Sequence, residues 1–207
     1  MPYCHHHSSG WGAPARRYIV NDIDTNTEDD ARDALQSVLG ELAEVHERTD
    51  VERFIAGWVD AVSDRHVRVL SVDSAGRSDG IEIRRLDNVE RVVTEGDYLT
   101  RRLKPLIAFW NNVPVWPTQR LTGNMDDLVV DALTVSIEDG IVVTMFMRDT
   151  CQYTGPVVKL SDDAGTIADL DHYGVVEREV AFKLSDIDAL NLGGDYERVA
   201  QHLMSWS

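Results

Sequence analysis

Two stretches of this chain repeat one another at an offset of 98 residues, without a gap. Gly57 falls on Gly155, Val59 on Val157, and Ser63-Asp64 on Ser161-Asp162. Asp73 and Gly76 fall on Asp171 and Gly174, Leu86 on Leu184, Val89 on Ile187, and Asp97-Tyr98 on Asp195-Tyr196. Upstream, Asp29 falls on Asp127 and Asp33-Ala34-Leu35 on Asp131-Ala132-Leu133. These are turn glycines, turn aspartates and apolar positions, the sites that a fold constrains most. The repeat divides the chain into a tail (1–25, disordered or tag-like), a first module (26–106), a linker (107–124) and a second module (125–207). Modules of about 80 residues have small cores and lean on each other or on further chains for stability.

Periodicity supplies the elements. Ala31, Ala34, Leu35, Val38, Leu39, Leu42 and Val45 make one apolar stripe at helical spacing and predict a helix from about 28 to 48. Strands are expected over 52–62, 66–72, 80–86 and 88–94, with a turn at Asp73–Gly76 and a closing helix over 97–106. The second module is expected to hold a helix over about 126–138, ended by Gly140. Strands over 141–147, 153–160, 166–170, 178–184 and 186–192 and a helix over 195–205 follow. A helix, short strands and frequent turns predict a mainly β, α+β chain folded as two small, strongly bent barrels.

The net charge of −16 is uneven. Residues 25–106 hold 12 bases and 18 acids, whereas residues 107–207 hold 6 and 16. This disfavours nonspecific attraction to nucleic acid or to anionic membranes. Asp (24) outnumbers Glu (12), and Arg (17) outnumbers Lys (3), a balance that fits either a salt-loving source or an acidic protein of a GC-rich genome. No apolar run is long enough to span a membrane and no signal peptide stands at the N-terminus, so the expected compartment is the cytoplasm.

Two local motifs invite metal readings. Cys4-His5-His6-His7 offers thiolate and imidazole ligands, but four adjacent residues cannot easily surround one ion, and Ser8-Ser9-Gly10 resembles the end of a His tag. Asp22, Asp24, Asn26 and Glu28 resemble the start of a calcium loop, but Thr27 and Asp33 stand where Gly and Glu are needed. Helix capping by Asn26 or Thr27 explains the segment. No metal and no cofactor are expected. Cys4 and Cys151 are not expected to form a disulfide.

Gly57-Trp-Val-Asp-Ala-Val-Ser-Asp64-Arg-His66-Val67-Arg68 and Ile83-Arg84-Arg85-Leu-Asp-Asn88-Val89 resemble the two motifs of the Sm-like small barrels, an SH3-like fold with an N-terminal helix and five strands. Gly57, Asp64 and His66 fall where the family has Gly, Asp and its base-stacking ring. Val67 stands for Met, Arg68 for Asn, and the Gly of the second motif is missing. The second module keeps the frame at Gly155, Val157 and Ser161-Asp162 but has Ala164, Thr166 and Phe182-Lys183 in place of His66, Arg68 and Arg84-Arg85. The resemblance implies a candidate RNA site of His66, Arg68, Arg84 and Arg85 in the first module, which would stack a base and hold phosphate. The same residues also suit a sheet surface paired with Asp64, Glu82 and Asp87.

The linker is rich in apolar residues. Phe109, Trp110 and Trp116 are expected to pack between the modules or, failing that, to form an exposed strip for a protein partner. No catalytic motif is present, and His172 beside Asp171 and Tyr173 fits a polar turn as well as a base. The expectation is a non-enzymatic protein that assembles by strand-edge contacts with itself or a protein partner. RNA binding by the first module is the alternative, and binding of a small ligand, or a defence role, is a third. Self-repulsion among −16 net charges should weaken at high ionic strength, so the melting temperature is expected to rise between low salt and molar KCl. An unchanged melting temperature would remove the charge argument.

Overall fold

The computed structural model describes residues 22–48, 50–111, 121, 127–149 and 151–206, with backbone alone at 50–53. The Cys4–His7 run and Trp116 lie outside these residues. The first half holds β1 (Asp22–Asp24), α1 (Glu28–Ser37), β2 (Leu42–Glu47), β3 (Asp50–Val62), β4 (His66–Val72), β5 (Ser78–Arg85) and β6 (Val89–Val93). A π-helical segment (Tyr98–Leu103) leads into α2 (Lys104–Trp110). The second half holds α3 (Leu128–Asp139), β7 (Val142–Met147), β8 (Gln152–Leu160), β9 (Ala164–Leu170), β10 (Val176–Lys183), β11 (Ile187–Leu192) and α4 (Asp195–Met204).

All the described strands join one antiparallel sheet in the order β1-β6-β2-β3-β4-β5-β11-β7-β8-β9-β10. Each half contributes the same internal order, its last strand lying beside its first. The repeat is visible at the level of single hydrogen bonds. Asp73 Oδ1 accepts from Ala75 and Arg77 N–H, and Asp171 Oδ1 accepts from Tyr173 and Val175 N–H. Gly76 and Gly174 follow these aspartates with φ of 82° and 80°, a left-handed turn that glycine adopts without strain. Register shifts bend β3 between Val59 and Ala61 and β8 between Val157 and Lys159.

Two expectations need correction. The helix expected to reach residue 48 ends at Ser37, and Leu42–Glu47 is a strand. Gly40, at φ 80°, turns the chain, and its N–H donates to Val59 O at 2.7 Å. β2 then lies between β3 and β6, buried on both faces, so Glu44, His46 and Glu47 are interior rather than the wet face of a helix. The repeat is also not gapless. Ala43 pairs with Gly57 and Val143 with Gly155, so β2 and β7 correspond at an offset of 100 while the later strands keep 98. The two extra residues lie at the end of α3 and are recovered in the β2–β3 hairpin, where 47–53 separate the paired His46 and Phe54 and only 147–151 separate Phe146 and Gln152.

At the start of α1, Thr27 is the N-cap. Its hydroxyl accepts from Asp30 N–H at 3.1 Å, and the Asp30 carboxylate accepts from Thr27 N–H at 3.0 Å. α1 seals the first half through Ala31, Ala34 and Leu35. α3 lies over strands of both halves: Leu128, Ala132 and Leu133 share a core with Leu70, Ile81 and Ile83 as well as Met145, Ile167 and Leu190. The two halves therefore share a hydrophobic interior.

The equivalent glycines Gly57 and Gly155 mark close strand crossings. A Cβ on Gly57 would lie 2.3 Å from Leu70 O, and one on Gly155 would lie 1.8 Å from Ala168 O. Both obstacles are backbone atoms. Gly57→Ala is therefore expected to cost about 2–3 kcal/mol in urea unfolding. A loss under about 0.5 kcal/mol would contradict the close approach.

Candidate functional site

The feature with most chemistry is the seam at which β5, the fourth strand of the first half's own five-strand set, meets β11, the last strand of the second. Four residue pairs align: Ile81 with Leu192, Glu82 with Asn191, Ile83 with Leu190, and Arg84 with Ala189. Alternation puts Ile81, Ile83, Leu190 and Leu192 on the core face, all fully buried. The other face is polar. The Arg84 guanidinium donates to Glu47 Oε1 at 2.9 Å, to Asn191 Oδ1 at 2.8 Å and to the carboxylate of Glu82. It also lies 5.9 Å from the ring centre of Phe146. One buried cation thus touches both halves. At the far end of the seam, a Cβ on Gly80 would lie 2.3 Å from Leu192 O, and Asp79 Oδ1 accepts from Asp195 N–H at 3.0 Å.

The residues singled out as an RNA site are placed differently from one another. Arg84 is inside the seam. Arg68 is buried, with Nε donating to Asp60 Oδ2 at 2.7 Å and Nη1 3.5 Å from Asp131 Oδ2, which ties β4 to α3. Burial pushes the Asp60 carboxyl up against the lowering pull of Arg68. Arg85 points away from Arg84, toward Asp87 and Asp188, and its hydrogen bond with Asp87 holds its pKa up. His66 is 8% exposed, and its Nδ1 has no hydrogen-bond partner among the described residues. His66 and Arg85 share a cavity of about 320 Å³ with Arg65, Asp127, Asp163 and Lys183, a lining of mixed charge. The structure brings together His66 with Arg85, and leaves Arg68 and Arg84 in separate buried ion pairs.

Of the aromatic residues assigned to a partner, Phe109 is 75% exposed and Trp110 52% exposed. They form an edge-to-face pair at 4.9 Å on α2, and Trp110 Nε1 donates to Ala75 O at 2.9 Å. They do not pack between the halves, which is a correction: α2 turns them outward on the first half. Asp171, beside His172, spends its carboxylate on the turn described above.

The seam itself escaped sequence reasoning. The alternation Gly80-Ile-Glu-Ile-Arg84 and Ala189-Leu-Asn-Leu192 was its only trace. The outer edges are unlike each other. β10 pairs with β9 alone among the described strands, and Val176, at 50% exposure, lies along it. β6 is covered by the three-residue β1. Among the described residues no group of three or more His, Cys, Asp or Glu is arranged to hold a metal ion, and no helix is long and apolar enough to cross a membrane. No family model, no curated protein and no solved structure matches the chain.

Burial pushes the His66 imidazole from 6.5 down to about 4, with Asp127 opposing the shift. The folded protein holds this ring neutral while the unfolded chain protonates it near 6.5, so between those values the unfolded state binds more protons. Stability from His66 is present above pH 6.5 and lost as pH falls toward about 4. The loss is expected to reach about 2–3 kcal/mol. His66→Gln should flatten that part of the stability profile, measured by urea unfolding. An unaltered profile would show that His66 titrates normally.

Proposed function

We propose that the chain is a tandem of two Sm-like, SH3-like small barrels, each an N-terminal helix and five short strands, acting without catalysis as an assembly protein through strand edges. The observation that carries this reading is the seam. It is a strand-edge contact between two equivalent halves, held by a short ladder with an apolar face and a polar face. Both halves keep the same strand order, with the last strand beside the first and a register shift that bends β3 in one half and β8 in the other, features that support the barrel reading. β10 offers a further edge of the same kind. Edge strands with unpaired backbone groups are templates for another chain.

Repetition of the seam between chains is head-to-tail, and it closes into a ring of roughly two to four chains if the rotation allows. The burial of Arg68 and Arg84 against carboxylates, and the net charge of −16, weigh against the RNA reading. Light scattering and native mass across a concentration series are expected to show self-association that strengthens with salt as repulsion is screened. Anisotropy with short U-rich RNA near physiological salt is expected to show no binding. A strictly monomeric chain, or tight RNA binding lost in His66→Ala, would contradict the proposal.

A further inference from the structure

The covered edge carries more information than the open one. At the seam, β11 presents Ala189, Leu190 and Asn191 to Arg84, Ile83 and Glu82. The equivalent residues of β6 are Arg91, Val92 and Val93, and these meet Asp24, Ile23 and Asp22 of β1. β1 therefore lies on β6 in the register that β5 takes on β11, antiparallel in both cases. The residue types follow the register: Asp22-Ile23-Asp24 stands where the seam has Glu82-Ile83-Arg84.

The copy is thin. Ile83 is fully buried, whereas Ile23 is 37% exposed, and both neighbours in β1 are exposed. Firm attachment comes one residue later, at Thr25, which is 2% exposed. Its N–H donates to Glu90 O at 2.8 Å, its hydroxyl donates to Val89 O at 2.7 Å, and its carbonyl accepts from Arg48 Nη2 at 2.8 Å. Within β1, the Asp22 carboxylate pairs among the described residues with Arg91, at 3.3 Å. β1 is thus held less firmly than Thr25.

We infer that β6 is the acceptor edge for β10 of a second copy of this chain, and that β1 is a resident competitor that limits this pairing. The inference rests on the strand-edge reading above and adds its regulation. Two observations select the occupant. β10 is the equivalent of β5, residue for residue, and its outer edge is unpaired among the described residues. Placed on β6 in the seam register, it sets Phe182, Ala181 and Val180 opposite Arg91, Val92 and Val93. Phe182, the counterpart of Arg84, is only 5% exposed and already packed in the core of its own half, so the face left to the second copy is set by Ala181, opposite Val92. The inner seam is held by a buried cation, and the outer one would have no cation in that place. The pairing is head-to-tail, so each added copy leaves one β6 and one β10 edge unless the ring closes. A tethered strand competes at a high effective concentration, so its removal raises the apparent affinity of the edge by the reciprocal of the fraction of time the edge is bare.

The test measures assembly by sedimentation velocity for six proteins: the full chain, a chain beginning at Thr25, full-length Ile23→Pro, and each of these three combined with Ala181→Asp. Ala181 is exposed in the single chain but would occupy the fully buried place of Ile83 in the junction, so a carboxylate there should block it. Loss of β1 is expected to lower the concentration for half-assembly about tenfold or more, and Ala181→Asp to abolish assembly in every background. Circular dichroism confirms folding, with Ala181→Arg as the alternative block. If the full chain assembles by an Ala181-sensitive contact and loss of β1 has no effect or weakens it, the competitor role is overturned and the strand-edge reading stands. Assembly of the shortened chain that ignores both Ala181 variants shows another occupant and overturns the inference. No assembly in any variant overturns both.

Discussion

The β5–β11 ladder is the contact on which the arrangement of this chain depends. Without it the second half would have no strand connection to the first, and α3 would bridge two bodies with nothing to hold their spacing. The ladder works because two requirements are met at once. Its inward residues, Ile81, Ile83, Leu190 and Leu192, are removed from water entirely. Its outward residues include one cation, Arg84, whose charge is matched by Glu47 and Glu82 and whose remaining donor reaches Asn191. A buried guanidinium without those partners would be strongly destabilising. The seam is therefore selective as well as adhesive: a strand lacking a matching acceptor would remove one of the hydrogen bonds of Arg84.

The same logic separates the two halves chemically. Where the first half has the Arg84–Glu47 ion pair, the second has Phe182 and Met147, both buried in the shared core. Where the first half has Glu44 bonded to His46, the second has Thr144 donating to the buried carboxylate of Glu197. The backbone frame is repeated while the polar contents are exchanged. The strand that carries Arg84 and the strand that carries Phe182 therefore differ chemically on one scaffold.

Much of the frame was legible in the residues. Asp73 with Gly76 and Asp171 with Gly174 marked turns because a left-handed glycine after a side-chain-bonded aspartate is a local arrangement. The strand over 66–72 was legible from its flanking turns. Leu42–Glu47 was not, because Leu42 and Val45 continue the helical stripe of α1 and only Gly40 interrupts it. Glu44, His46 and Glu47 looked solvent-facing, and their burial depends on two neighbours distant in sequence. Arg84 was legible in part: its pairing with Glu82 was among the expectations, but its burial was not. Beside Arg85 it looked like half of a basic patch, yet its key acceptor, Asn191, is 107 residues away. Pairings over such distances leave no periodic trace. The exposure of Phe109 and Trp110 was equally hidden, since the turn of α2 away from the second half is a tertiary fact.

The central claim is that the seam makes the two halves one cooperative body. Native-state hydrogen exchange on the full chain, with Arg84→Ala beside it, tests this directly. The amides of β5 and β11 are expected to be among the slowest to exchange, and Arg84→Ala is expected to lower protection in β4 and β9 together. Rapid exchange across β5 and β11, with each half keeping its own separate protection, would contradict it.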